Sequence, residues 1–459
     1  MESYSIPSHV TNWLKDNGYF VANTDMIAHI NEWYSWLRGT AKFYESTGKI
    51  GKRRTKVKRM SVRPAKRVCN EWASLLLNED VQITTDSETT NKWLEEYLER
   101  IGFVTKGQML ISRAFAMGTA AWVMWFKLGT QPKMQVRRYD ARTILPLTYD
   151  DDGITECAFV TQAILDGKKV DQLQLHLLQE GTYHILTRLW LDGKPYEHED
   201  IVADFDTNSS SQTFAIFSPA IDNTTVDYSP YGQSVYADAI DAIQAVDLAW
   251  DATQNDLKLS KMRIFMSDLL LDSELDDQGK VRYLPFGDDD VIFRRVASTE
   301  DLIKVFAPQL RTEAQLKAYR SNWQTLGDLC ELGLDRFDVD EHGGIRTATE
   351  VASDNSQLMQ NIRKHKNALA KSLRIIIRAI LAGAVAVLGE PESLANVKTI
   401  DINFDDSIIT DTQAEKKQDL SEVDRTMNAW EYRMKWYGET EKEAKANVPR
   451  LMPSFDIQE

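Results

Sequence analysis

The run Arg346-Thr-Ala-Thr-Glu-Val-Ala-Ser-Asp-Asn-Ser356 decides how this chain of 459 residues is read. Thr347 and Glu350 stand in the S/T-x-x-E arrangement, in which each side chain accepts a hydrogen bond from a backbone N–H at the start of a helix. A helix therefore begins there. Beyond it Val351, Leu358, Ile362, Leu369, Leu373, Ile376, Ile380 and Val387 recur at helical spacing, interrupted at 353–357. They predict one helix to about Leu388, roughly 55–60 Å long at about 1.5 Å per residue. Just upstream, Asp335, Asp338, Asp340 and Glu341 are followed by Gly343 and Gly344, an acidic loop with a conformationally free end. Phe337 and Val339 are its bulky apolar residues, suited to packing back on the preceding helices.

Working outward, Leu316, Tyr319, Trp323, Leu326 and Cys330 predict a helix over 312–332. Tyr236, Ile240, Ile243, Val246 and Trp250 predict another over 235–261, with Asp238, Asp241, Asp247 and Asp251 off the stripe and solvated. Between them lies a mixed insert. It has β-like runs at 263–266, 281–284 and 291–295 around Asp288-Asp-Asp290. From about Ala120 to Phe217 short β-rich runs are separated by Asp150-Asp-Asp-Gly, Asp166-Gly and Asp192-Gly, which predicts a mainly antiparallel sheet. Helices are expected at 68–78, 90–101 and 104–117. The chain closes with a strand-like 397–404 and a charged helical tail carrying Trp430, Trp436 and Tyr437-Gly. The fold class is α+β.

The chemistry is more legible by what is missing. Fifty-four Lys and Arg against 69 Asp and Glu give a net charge of -15, opposite to a generic DNA-coating protein. Cys69, Cys157 and Cys330 are far apart, without CxxC or nearby His, which argues for a reducing compartment. The amino terminus lacks the apolar core of a secretion signal, and the most apolar run, 375–388, is too short to span a bilayer. No Walker loop, dinucleotide fingerprint, HExxH or GxSxG occurs. His176 and His184 read as ordinary strand residues. The clusters Asp150–Asp152, Asp288–Asp290 and Asp405-Asp406 could hold a divalent ion but read more plainly as turns. No cofactor or metal is expected.

One segment runs against the acidic balance. Lys52, Arg53, Arg54, Lys56, Lys58, Arg59, Arg63, Lys66 and Arg67 stand within 52–67 with no acid among them. The segment reads first as a strip docking on an acidic protein surface, then as a nucleic-acid arm, then as a loop that only aids solubility.

The order of elements resembles that of portal proteins of tailed bacteriophages, particularly those of siphophages of Gram-positive hosts. The likeness rests on Ala65-Lys-Arg-Val-Cys-Asn-Glu-Trp-Ala-Ser-Leu-Leu-Leu-Asn-Glu79, on Tyr231-Gly-Gln-Ser, and above all on the 346–356 run. It implies a ring, usually of twelve subunits, at one capsid vertex of the virion, built in the host cytoplasm. Double-stranded DNA would pass through it without sequence specificity during packaging and ejection. Its partners would be further copies of the chain, terminase, a head-tail adaptor, and capsid and scaffold proteins; no membrane and no enzymatic activity are implied.

On this likeness 1–232 is an N-terminal arm and α/β wing, 233–262 and 309–334 are stem helices, and 263–308 is a small α/β clip. Residues 335–346 form the tunnel loop, 347–404 the long wing helix and closing strand, and 405–459 the crown. Asp335, Arg336, Asp338, Asp340, Glu341, Gly343, Gly344 and Arg346 would then face the DNA. Asp288, Asp289, Asp290, Arg294 and Arg295 would meet docking partners. An acidic wall suits a conduit, because it repels phosphate and offers little to hold it. The rival readings are a metal-dependent nucleic-acid enzyme and a nucleic-acid-binding module carried by 52–67.

Overall fold

The computed structural model describes residues 5–21, 25–50, 53–79, 81–127, 132–199, 201–260, 263–267, 273–275, 278, 281–283, 292–295, 303–306, 312–334, 336–337, 348–404, 416, 419–421, 423 and 427–448. Thr347 of the expected capping box, Val339, and the Asp288–Asp290 and Asp405-Asp406 clusters lie outside the described residues.

Helices α1 (Ser8–Asp16) and α2 (Asp25–Arg38) come first, then strands β1 (Glu45–Ile50) and β2 (Arg53–Lys58), paired antiparallel from Glu45↔Lys58 to Ile50↔Arg53. The basic segment is thus a hairpin strand leading into a helix, not a loop. Helix α3 (Pro64–Leu76) follows, with Val68, Cys69, Trp72, Leu75 and Leu76 buried. Strand β3 (Gln82–Thr85) leads to α4 (Glu88–Ile101), which starts two residues before the expected Thr90 because Ser87 caps it, accepting from the Thr90 N–H. Helix α5 (Phe103–Met117) completes the helical layer.

The β-rich middle forms two sheets. Strands β4 (Ala120–Lys127) and β5 (Lys133–Asp140) pair along their length; β6 (Ile144–Asp150), β7 (Gly153–Leu165), β8 (Lys168–Gln179) and β9 (Thr182–Leu191) make an antiparallel meander. Short β10 (Lys194–Tyr196) and β11 (Asp204–Asp206) add to β9, and β12 (Phe214–Phe217) pairs with β4. The expected Asp-Gly turns are there: Asp166, Gly167, Asp192 and Gly193 all have positive φ, as a tight two-residue hairpin requires.

Alternation along β4 explains the layering. Ala121 and Val123 face the larger sheet, with Phe159, Tyr183 and Phe214, while Ala120, Trp122 and Met124 face the helices. Helix α1 covers the far side of the larger sheet through Val10 and Leu14 against Leu173, Leu175 and Trp190. His176 is buried between the sheets, its Nδ1 2.6 Å from Thr213 Oγ1.

Helices α6 (Ile240–Leu259) and α7 (Thr312–Leu329) flank the insert. Helix α6 starts later than expected, after a 3₁₀ turn at Ala237–Ala239, and α7 ends earlier. Strands β13 (Arg263–Ser267), β14 (Ser273–Leu275), β15 (Val281–Tyr283), β16 (Ile292–Arg295) and β17 (Ile303–Phe306) lie between them. Strand β13 pairs parallel with β16 and antiparallel with β17. Helix α8 (Ala348–Gly383) continues unbroken through 353–357 and ends in a π-helical turn, Ala384–Leu388. Its Ile362, Leu369, Leu373, Ile376, Ile377 and Ile380 close the main core. Strand β18 (Ile400–Asn403) then pairs with β3, three hundred residues earlier in the chain, through Ile400↔Thr85 to Asn403↔Gln82. Helices α9 (Ala429–Tyr437) and α10 (Glu441–Asn447) follow, α9 stopping at Gly438 in the left-handed region.

The Tyr231-Gly-Gln-Ser run fixes where α6 departs. Tyr231 Oη donates to Ile144 O (2.7 Å), Gln233 Oε1 accepts from the Thr224 and Thr225 N–H groups, and Ser234 Oγ donates to Phe115 O. Gly232 lies so close to the Gly118 backbone that a Cβ on either residue would collide with the other's carbonyl.

Candidate functional site

Helices α6 and α7 form an antiparallel hairpin. Ala245 O accepts from Asn322, Trp250 meets Tyr319 at 5.8 Å, and Asp256 accepts from Gln315 (2.5 Å). The described strands β13 to β17 lie between the end of α6 and the start of α7. Ile243 and Val246 of α6 and Trp323 and Leu326 of α7 are buried, so the roots of the hairpin belong to the main core. Apolar surface is nonetheless uncovered along the pair, from the root at Leu329 outward: Leu248, Leu257, Leu316 and Leu329 are 51, 44, 48 and 50% exposed. Leu316, expected in the packed stripe, is among them.

The end of α7 is fastened at three points. Trp72 Nε1 donates to Cys330 O (3.0 Å) while its ring stacks on Phe115. Asn361 donates to Glu331 O, and the Glu331 carboxylate accepts from Lys364 Nζ (2.6 Å) and His365 Nε2 (3.2 Å). His365 accepts the Ala220 N–H at Nδ1 (3.0 Å), which fixes the proton of the neutral ring on Nε2, facing Glu331. Burial lowers the His365 pKa against the opposing pull of Glu331. Burial pushes Glu331 up, but hydrogen bonds from His365 and Lys364 outweigh it and hold the carboxyl below its ordinary range.

Beyond Glu331 the chain folds back. Phe337 is buried, 4.9 Å from the Trp323 ring, with the Arg67 guanidinium over both rings. Gly327 makes room, since a Cβ there would lie 2.6 Å from Gly333 O. Arg336 is ion-paired with Glu71 of α3 through Nε (2.6 Å) and Nη2. Of the residues expected to face DNA, Arg336 is therefore held against the body at the loop's base. Asp335, Asp338, Asp340, Glu341, Gly343, Gly344 and Arg346 lie outside the described residues.

The basic hairpin is tied to the same helices. Asp247, expected to be solvated, is buried: its carboxylate accepts from Tyr44 Oη (2.6 Å), Ser61 Oγ (2.7 Å) and the Val62 N–H (2.8 Å). Asp251 accepts the Met60 N–H (2.9 Å). Burial raises the Asp247 pKa despite these bonds, and it raises Tyr44 as well. Arg59 donates to Phe43 O and lies over the Phe43 ring, so the last of the expected basic-arm residues is folded down. Arg53, Arg54, Lys56 and Lys58 are on β2, Arg294 and Arg295 on β16, and Lys52 lies outside the described residues.

Sequence reasoning missed Trp72, Glu331, His365 and the burial of Asp247. Each depends on partners distant in the chain, and only the helical stripe around Trp72 gave a local signal. Among the described residues no group of three or more His, Cys, Asp or Glu is placed to hold a metal ion, and no helix is long and apolar enough to cross a membrane.

No curated protein matches the chain. The family described as "Phage portal protein, SPP1 Gp6-like" matches residues 19–434, spanning the body, the helical hairpin with its strand insert, and the long helix α8. With that match over nearly its whole length, and with an α+β body from which two antiparallel helices carry a small strand insert, the chain belongs to the SPP1 Gp6-like family of phage portal proteins.

Proposed function

We propose that copies of this chain close into a ring at one vertex of the capsid, and that double-stranded DNA passes through its axis into the head and later out. The observation that carries this reading, beside family membership, is the α6–α7 hairpin. Its four half-exposed leucines are more apolar surface than one subunit covers, and in a ring each hairpin packs against the next. A head-to-tail contact that closes removes such patches from water without leaving a free end.

In this reading residues 1–232 with α8 and β18 are the wing, α6 and α7 the stem, 263–308 the clip that meets terminase and later a head-tail adaptor, and 405–459 the crown. The 335–346 loop is a collar around DNA. Its base is held by Phe337 and Arg336 while its acidic residues repel phosphate and bind nothing tightly. The ring makes no or few sequence-reading contacts and carries out no bond chemistry. Copy number, expected to be twelve, is read directly by electron microscopy of the purified protein, with sedimentation velocity across several salt concentrations as the bulk measure. Rings with a central hole are expected. Monomer alone at high concentration in every salt would overturn the reading.

A further inference from the structure

A cleft of about 910 Å³ lies between the end of α2, one face of α3, α5 and the end of β5, and the stem reading does not use it. Five cationic side chains line it: Arg38, Arg63, Lys66, Arg113 and Arg138. Among the described residues none of the five has an ion-pair partner, although the chain as a whole carries a net charge of -15. The one acid in the lining, Asp140, is already held by Arg142 through two bonds of 3.0 and 2.7 Å.

Several details show that the cleft as built lacks a counter-charge. Arg113 Nη1 is buried with no hydrogen-bond partner among the described residues. Arg38, Arg113 and Arg142 crowd one ring, with guanidinium carbons 5.7, 5.4 and 3.5 Å from the centroid of Tyr34. Partial burial and the charge of Arg113 both lower the pKa of Arg138. Helix α3 begins at Arg63 without a side-chain cap and has no acid in its first turn, where cations oppose the helix dipole. The Tyr34 ring stabilises the cations over it, but the unpaired Arg113 Nη1, the repulsion between Arg113 and Arg138 and the uncapped start of α3 are each unfavourable, and an anion in the cleft offsets them.

The shape of the cleft selects the kind of anion. Between the cations the wall mixes hydrogen-bonding side chains, Asn70, Gln108 and Ser112 among them, with apolar Leu37, Ala73, Leu110 and a Met109 that is 53% exposed. A DNA duplex presents a convex, rigid ridge of phosphates and leaves such a floor uncovered. An extended peptide enters a cleft of this size and offers both carboxylates and an apolar side chain, and arginine clusters recognise acidic motifs in this way. Exposed methionine adapts to different apolar partners.

We propose that this cleft docks an acidic peptide segment of a partner protein, its carboxylates pairing with Lys66, Arg113 and Arg138 and an apolar side chain covering Met109. The site is on the body, and the proposal does not depend on the conduit reading.

The test uses the full-length protein and a fluorescein-labelled peptide of alternating aspartate and leucine, followed by fluorescence anisotropy at low and moderate salt. Saturable binding is expected, weakening as salt rises. Arg113 has a buried guanidinium nitrogen, so the decisive variant is Arg38→Glu with Lys66→Glu, two solvent-exposed side chains lining the cleft, with circular dichroism to check that the fold is intact. It should weaken binding at least about tenfold, and Arg113→Gln should do so comparably. A lysine–leucine peptide should not bind, and a short DNA duplex should not compete. Binding that survives the charge reversal places the peptide elsewhere and overturns the proposal. So do displacement by the duplex, which would make the cleft a nucleic-acid surface, and the absence of saturable binding.

Discussion

Replacing Phe337 by alanine should loosen the end of α7 without unfolding the body. The ring is 4% exposed and packed against Trp323, with the Arg67 guanidinium over it, so its removal leaves a cavity that backbone held by Arg336 and Glu331 cannot readily fill. Phe-to-Ala changes in packed cores cost about 3–5 kcal/mol, the aromatic pairing included. The lower end applies here, because the Arg67 side is exposed and can relax inward. The anchoring is confined to one turn of chain, so the loss acts on local opening: about 3 kcal/mol corresponds to a rise in the open population of roughly a hundredfold. Native-state hydrogen exchange reads this at the amides of Glu331 and Leu332, bonded to Asp328 O and Gly327 O. Phe337→Leu, which keeps most of the volume, should raise their exchange far less. If exchange at these two amides changes less than about threefold in Phe337→Ala, Phe337 does not hold the segment and the anchored-base reasoning is wrong.

Asp247→Ala strands the Tyr44 hydroxyl, the Ser61 hydroxyl and the Val62 N–H, and should cost about 2–4 kcal/mol, seen as a lower Tm, with Asp247→Asn intermediate because it keeps the shape and one acceptor. An unchanged Tm in Asp247→Ala would show that the hairpin base is held by other contacts. Burial holds the His176 pKa down at about 3 against 6.5 when unfolded, so the unfolded state binds the proton more tightly in that window. Stability should therefore fall as pH drops below about 6.5, by up to about 1.4 kcal/mol per unit, with His365 contributing in the same direction. Thermal melts across pH should be steeper for the native protein than for His176→Gln, and equal slopes would contradict the burial of this ring. Lysine at Asp338, Asp340 and Glu341 together should leave rings intact but slow DNA packaging in a manner relieved by salt; packaging at the normal rate in low and high salt would remove the loop from the channel.

What the sequence discloses here is what depends on near neighbours. The stripes of α6, α7 and α8 and the Asp-Gly turns of the meander act within a few residues, and the helices and turns emerge with only their ends shifted. Asp247 is the opposite case. From its own helix it looks solvent-facing, and only Tyr44 and Val62, nearly two hundred residues upstream, show that it is an internal acceptor. The basic segment is a related case. Its charge gives no secondary structure, and only β1, which supplies backbone partners for β2, and α6, on which Met60 to Val62 dock, show how it is held. Leu316 reads as core because its spacing matches Trp323, but helical spacing carries no information about where a neighbouring surface stops.

The pairing of β3 with β18, and the sealing of the main core by α8, also impose an order on the protein's birth. Everything up to Ala239 leaves the ribosome with its main core open on one side, since Trp72 and Phe115 meet His365, and the core meets Ile362 to Ile380, only when α8 is made. The α6–α7 hairpin and its insert must be synthesised in between, and at about 5–20 residues per second that interval is on the order of 5–30 s. During it the nascent body is a sticky, incomplete half-shell, exposed among many identical chains. On the ring reading, a chain that must meet copies of itself in a defined way thus passes through a stage in which it can meet them wrongly, and chaperone occupancy should peak on nascent chains that stop just short of α8.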